Sequence, residues 1–540
     1  MSIAQTYSAQ LVGLEAEIIT IEVDISNGLH AFSVIGLGDR SVEESKDRVS
    51  AAIKNTGFIS PKQKNQKLVV SLAPADVRKE GPAFDLAIAI GYLIAAEEIK
   101  YKTKEAGGVK GISENIFLGE LSLEGNIRRV SGVLPMLFCA IKNGFKSAFI
   151  PAENSREASL AQGIDIYPVS NLSEVVDHIT GAKTLEKICM NNLFSNLVNG
   201  KIVGAGLAEN KNNSDIDMAL VKGNEVAKRG LEIAAAGAHN MLMYGLPGTG
   251  KTMLAQSFPS ILPPLSYEQS IEVTSIHSAA RALNSELITS PPFRAPHHTA
   301  SNISIIGGGA LPKPGEITLA HRGVLFLDEF PEFDRQTIEA LRQPLEEKQI
   351  TVSRAKGSLT FPAQTILLAS MNSCPCGKPK KKGCICSESM IRNYWRKISG
   401  PIADRIDIWV HIDTVEYKKL AAMKTVAAPE PATTQTETRW NSANMAARVR
   451  KAREKQRERF AKIGRPIYFN SEMNAADIEK TIVMDDRARF AIETSARRFN
   501  LSGRAFHRIM KVARTIADLD DIEIITQRQI LEALQFRKKN

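Results

Sequence analysis

The chain has 540 residues, room for three or four domains at roughly 150 residues each. Apolar residues make up 43% and charged residues 24%, an ordinary globular composition with ample material for buried cores. Lysine and arginine exceed aspartate and glutamate by 10, which suits a nucleic-acid partner but equally suits many soluble enzymes. Six cysteines are too few for a disulfide scaffold, and four of them crowd between Cys374 and Cys386, which points to metal rather than bridges. The longest apolar run, Leu86 to Ala96, falls short of the roughly 20 residues a membrane span needs. Met1-Ser2-Ile3-Ala4-Gln5 lacks the basic start and apolar stretch of a signal peptide. The expectation is a soluble, reduced, cytoplasmic protein that does not engage the membrane.

In chain order, Ile19, Ile21, Val23 and Ile25 alternate with Thr20, Glu22 and Asp24, predicting a half-buried strand. Val42, Val49, Ala52 and Ile53 recur at helical spacing after Ser41, and Leu68–Leu72 reads as another strand. A helix over Phe84–Ala96 and strands near Phe117 and Ala148–Ile150 complete a compact α/β domain over residues 1–182. Residues 183–205 form a connector. From 206 to 415 continuous apolar strands at Met241–Tyr244, Gly323–Leu327 and Gln364–Ala369 predict a parallel sheet covered on both faces. A Pro/Thr/Ala linker covers 416–438, and a helical domain covers 439–540, with Ser502 opening one helix and Thr526–Gln529 boxing the last.

Gly245-Leu-Pro-Gly-Thr-Gly-Lys-Thr252 matches the phosphate-loop pattern at every fixed position, after an apolar strand and before a helix. Backbone N–H groups of Gly245, Leu246, Pro247's neighbours, Gly248, Thr249 and Gly250 close around phosphate oxygens; Lys251 reaches the β/γ-phosphates of ATP and Thr252 ligates Mg²⁺. Val324–Leu327 then delivers Asp328 to the Mg²⁺ and Glu329 to an attacking water. The next strand ends at Asn372, whose amide can hold that water or sense the γ-phosphate.

These residues describe a P-loop ATPase of the AAA+ type. Gly307–Glu316, Leu319–Glu329 and Gly400–Asp407 resemble the magnesium-chelatase ATPase subunit and its relatives, the MCM helicases. That resemblance implies that Arg405 is a finger completing the neighbouring subunit's ATP site, which requires a ring oligomer. Leu501-Ser-Gly-Arg504 resembles the second sensor arginine of the same families.

The front domain resembles the proteolytic domain of Lon through Phe117–Gly125, Val130–Val133 and Ala148–Asn154. Lon's nucleophile run corresponds to Glu80-Gly81-Pro82-Ala83, and Leu134 stands where its lysine would be, so Ser–Lys proteolysis cannot run there. The fold implied is the small α/β type shared with ribosomal protein S5 domain 2, with an unknown protein partner. The whole order resembles the ComM/YifB family, which implies a hexameric motor acting on single-stranded or branched DNA in natural transformation. A chelatase-like ATPase that remodels a protein or metal-insertion partner is the alternative.

Cys374, Cys376, Cys384 and Cys386 form C-x-C-x₇-C-x-C; four thiolates could close a structural Zn²⁺ site, or remain reduced or redox-active. Lys378, Lys380, Lys381 and Lys382 lie between the pairs, as a phosphate contact or a solvated run. Ile350–Thr360 reads as a hairpin; in MCM helicases such a hairpin enters the central channel, which implies that Arg354 and Lys356 track DNA. Nine basic residues over 439–462, against Glu454 and Glu458, make a candidate DNA-facing helix or a solvated one.

Overall fold

A computed structural model describes the chain except residues 1, 37, 65, 76–78, 80, 100–111, 189–215, 281, 283–286, 310–312, 355–356, 379–382, 415–438 and 539–540. The stretches expected to be a connector and a linker, 183–205 and 416–438, lie largely or wholly outside the described residues. Two compact units emerge: residues 1–203 with 267–288, and residues 204–266 with 289–540. Among the described residues no helix is long and apolar enough to cross a membrane.

The front unit starts with a four-stranded sheet in the order Ser2–Val12, Glu15–Asn27, Gln66–Ala73, Ala31–Ile35. The first three strands run antiparallel and the last runs parallel to its neighbour. The alternation read in the sequence is the burial pattern found: Ile19, Ile21, Val23 and Ile25 face inward while Thr20, Glu22 and Asp24 do not. Helices Arg40–Asn55 and Asp85–Ala95 cover that apolar face. The first of them is capped by the Asp39 carboxylate, which accepts from the Val42 N–H, rather than opening at Ser41. A second, parallel sheet joins Asn115–Phe117, Ser147–Pro151 and Asp165–Val169.

Helix Tyr267–Ala279 lies within the ATPase stretch of the sequence, yet it is compact with the front unit. Tyr267 and Ile271 pack on the apolar cluster of Leu134 and Leu137. The Tyr267 hydroxyl donates to Leu160 O at 3.1 Å, and the Gly132 N–H donates to Ser278 Oγ at 3.0 Å. At the base of this excursion, in the second unit, the Leu265 N–H donates to Thr289 O at 2.9 Å.

The second unit is built on a five-stranded, all-parallel sheet in the order Phe293–Arg294, Val324–Leu327, Ile366–Asn372, Met241–Gly245, Ile408–Ile412. Val324–Leu327 is buried throughout, as its unbroken apolar run requires. The helices beyond residue 439 share the core of this sheet: Val449, Phe460, Ile516 and Leu534 join Met241, Met243 and Leu368 in one apolar cluster. Arg229, on helix Glu225–Gly237, reinforces the join through Glu232, Asp520 and Glu532 at 2.7–3.0 Å. The expected caps at Ser502 and Thr526 are both present.

The basic helix is not the free charged face that its composition suggests. Over Ser442–Lys462 it buries Met445, Val449, Ala452, Gln456 and Phe460. Arg448 pairs with Glu232, Lys451 and Lys455 with Asp521, and Arg459 with Asp518; Arg453 donates twice to Ala235 O. Acids far away in sequence consume these cations, leaving Arg450, Arg457 and Lys462 exposed.

Candidate nucleotide site

Strands Met241–Gly245, Val324–Leu327 and Ile366–Asn372 end side by side, so their next residues converge in the crevice outside the carboxyl ends of the sheet. Gly248 and Gly250 take φ of +72° and +89°, left-handed backbone that lets the loop turn back before helix Lys251–Ser257. Lys251 Nζ donates to Gly245 O at 3.1 Å, Leu246 O at 2.8 Å and Asn372 Oδ1 at 3.3 Å. Burial lowers the lysine's pKa, and the charges of Asp328 and Glu329 oppose that shift. The register Gly245–Asn372 makes the lysine–asparagine contact possible.

The Thr252 hydroxyl donates to Asp328 Oδ2 at 2.8 Å. Adjacent corners of an octahedron with 2.1 Å bonds are about 3.0 Å apart, so this hydroxyl and carboxylate fit as neighbouring ligands of Mg²⁺. Asp328 Oδ1 accepts from the Glu329 N–H at 2.9 Å and from the Ser370 hydroxyl. Glu329 is exposed and takes φ of +51°, a strained conformation for a residue with a side chain. His298 Nδ1 lies 3.6 Å from Glu329 Oε2. Ser370 and His298 carried no sequence signal of their own; only the strand register and the fold bring them to the acidic pair.

Arg405 precedes strand Ile408–Ile412, which pairs in parallel with the phosphate-loop strand, Met241 opposite Ile408 and Gly245 opposite Ile412. It therefore sits at the other end of the sheet, about 16 Å of strand away from its own phosphate loop. There Arg405 Nη1 donates to Pro401 O at 2.6 Å, Nη2 pairs with Glu346, and Nε is buried with no acceptor among the described residues. Arg508 donates to Ala403 O and Ile406 O, each at 3.0 Å, and meets Asp404. One helical turn earlier Arg504 is exposed. Lys511 donates to Ser471 O at 2.9 Å, so the Arg508–Lys511 face is packed rather than solvated.

Behind this edge, His239 bridges Asp407 Oδ2 at 2.9 Å and Thr515 Oγ1 at 2.8 Å. Burial works against the Asp407 charge, but His239, Lys511 and Arg508 outweigh it and hold the carboxyl below its usual range.

Strands Gln349–Arg354 and Gly357–Pro362 form the expected hairpin, paired from Gln349–Pro362 to Arg354–Gly357. Lys356, Lys380, Lys381 and Lys382 lie outside the described residues, as does the side chain of Arg354. In the front unit Ala83 and Leu134 are both buried in one apolar cluster with Val133, Leu137 and Ile150. Nearby, Asp85 is fully buried against Arg48 (Nε–Oδ2 2.8 Å) and accepts from the Leu121 N–H at 3.2 Å.

Three family models match the chain: magnesium chelatase subunit ChlI over residues 217–420, subunit ChlI of Mg-chelatase over 21–154, and the ChlI C-terminal region over 439–537. The chain is 38% identical to Competence protein ComM of Haemophilus influenzae over 539 residues, 99% of this chain and 98% of that one. It is 37% identical to YifB of Escherichia coli over 541 residues, 99% and 97% of the two chains. A shorter match, 25% identity over 181 residues, links 31% of the chain to 22% of the Lon protease of Buchnera aphidicola. The chain thus belongs to the ComM/YifB family of magnesium-chelatase-like AAA+ proteins. It is an ATPase of that kind, using ATP with Mg²⁺.

Proposed function

We propose that this chain forms a ring, of six copies, whose ATP sites are completed between neighbours and whose hydrolysis drives movement on single-stranded or branched DNA. Lys251 holds the β/γ-phosphates, and Thr252 and Asp328 hold Mg²⁺. Glu329 accepts a proton as water attacks the γ-phosphorus, and the bond to the ADP oxygen breaks; Asn372 orients the γ-phosphate. Arg405 neutralises transition-state charge in the adjacent copy. The observation that carries this reading is the separation of Arg405 from its own phosphate loop along one parallel strand pair. Arg504, a turn from the Arg508 that grips the Ala403–Ile406 stretch, belongs to the same outward surface and acts in trans with it.

For the DNA role, the support is full-length likeness to a protein named for competence, and a hairpin set between the acidic strand and Asn372. The front unit then serves as a non-proteolytic binding module, since its would-be dyad positions are apolar core. The internal pairing of the basic helix favours a second reading, a chelatase-like remodelling ATPase without DNA translocation. ATP-driven strand exchange on a synthetic four-way junction, with Glu329→Gln as the control, separates them. Junction processing by the wild type supports the motor; ATP turnover indifferent to DNA, with no salt-sensitive binding, overturns it.

A further inference from the structure

We propose that Cys374, Cys376, Cys384 and Cys386 bind one zinc ion, and that the metal-closed loop braces the phosphate loop of the same chain. The four sulfur atoms lie within 4.8 Å of one another. Cys374 Sγ is 3.6 Å from Cys376 Sγ and 3.8 Å from Cys384 Sγ, and Cys376 and Cys384 are 3.6 Å apart. Four thiolates bonded at 2.3 Å in a tetrahedron have edges of about 3.8 Å, so Cys374, Cys376 and Cys384 match three corners and Cys386 lies within 4.8 Å of them to close the fourth. These separations are far beyond the roughly 2.05 Å of a disulfide. A soft all-sulfur set selects zinc or an iron–sulfur centre over hard cations, and four-coordinate closure leaves no open position for catalysis.

Position gives the loop its task. Strand Ile366–Asn372 runs into it directly, so Cys374 is two residues past the asparagine that meets Lys251. Gly377, inside the loop with φ of +66°, packs so closely on the phosphate loop that a methyl there would stand 2.7 Å from Pro247 Cγ. On the outer side the Trp395 indole N–H donates to Ser373 O at 3.2 Å, and its ring meets Tyr244 of the phosphate-loop strand edge-on at 5.3 Å. The loop therefore touches the nucleotide site from two directions. Among its described residues the Gly377 N–H donates to Cys374 O at 3.2 Å and the Lys378 N–H to Cys376 Sγ at 3.5 Å, and the two cysteine pairs meet at the cluster of sulfurs, which a metal ion makes rigid.

The metal assignment stands independently of the nucleotide reading, whereas the bracing rests on it. The intact chain, expressed with zinc and desalted, is expected to carry about one zinc per chain by mass spectrometry. In a Cys139→Ser, Cys189→Ser background its four thiols should resist a thiol reagent until a mercurial releases the metal. Freely reacting thiols without zinc, or iron with inorganic sulfide, overturn the assignment. Gly377→Ala should keep the zinc but bind a fluorescent ATP analogue about tenfold more weakly. Mercurial release of zinc from folded wild type should weaken binding likewise, reversibly on adding zinc and excess thiol. Unchanged affinity in both overturns the bracing; no binding by zinc-loaded wild type indicts the nucleotide reading instead.

Discussion

Where strands Met241–Gly245, Val324–Leu327 and Ile366–Asn372 end, the emerging side chains are polar: Lys251 and Thr252 just beyond the loop, Asp328, Glu329 and Asn372. At Ala83 and Leu134 in the front unit, the side chains are small or aliphatic and sealed from water. Both regions resemble catalytic families, and both keep the glycine-bearing turns that shape such sites. Only one keeps groups that can carry charge or a proton at the positions where the resembled family places its chemistry. Resemblance of backbone pattern and retention of chemistry are therefore separable, and each residue must be tested by itself.

The sharpest test of the difference is Lys251→Ala, which should reduce ATP turnover by about 10³-fold or more, read by phosphate release. Near-normal turnover would put the chemistry elsewhere. Arg405→Ala should retain nucleotide binding and lose about 10³-fold in turnover. Mixing Arg405→Ala chains with Lys251→Ala chains should restore activity, because some interfaces then pair an intact loop with an intact arginine. Failure to complement would mean that the arginine acts within its own chain.

In the front unit the effects should fall on stability. Asp85→Asn leaves the half-buried Arg48 beside a neutral partner and should cost about 3 kcal/mol, measured by urea unfolding of the full chain. Leu134→Ala should cost about 2–3 kcal/mol by opening a core cavity, with no change in ATP turnover. The smallest effect concerns pH. Burial pushes the Asp85 carboxyl up to about 6, against the pull of Arg48. The folded chain then holds a proton that the unfolded chain gives up near pH 4. This group's contribution to stability should accordingly fall as pH rises from about 4 to 6. Asp85→Asn should remove that slope; an unchanged slope would assign it to other groups.

The sequence made legible whatever is local. The phosphate loop, the acidic pair, Asn372 and the alternating strand Glu15–Asn27 depend on neighbours within a few residues, and the fold places them as expected. What the sequence hid is long-range. Ser370 and His298 reach the acidic pair only because separate strands end together, and Glu346 meets Arg405 across 59 residues. The basic helix is the instructive case. Its cations could be counted, but the acids Glu232, Asp518 and Asp521 come from other elements, so composition alone could not reveal that Arg448, Lys451, Lys455 and Arg459 were already paired.

The excursion of helix Tyr267–Ala279 has a practical consequence for dissecting this protein. A chain cut after residue 182 to isolate the ATPase would still carry that helix, with Tyr267 and Ile271 stripped of the surface they cover. Such a fragment would expose a sticky amphipathic segment and clump, which could be mistaken for loss of an essential front half. A cleaner surgical product would replace 267–288 with a short polar turn, since Leu265 and Thr289 already hold the two cut ends together.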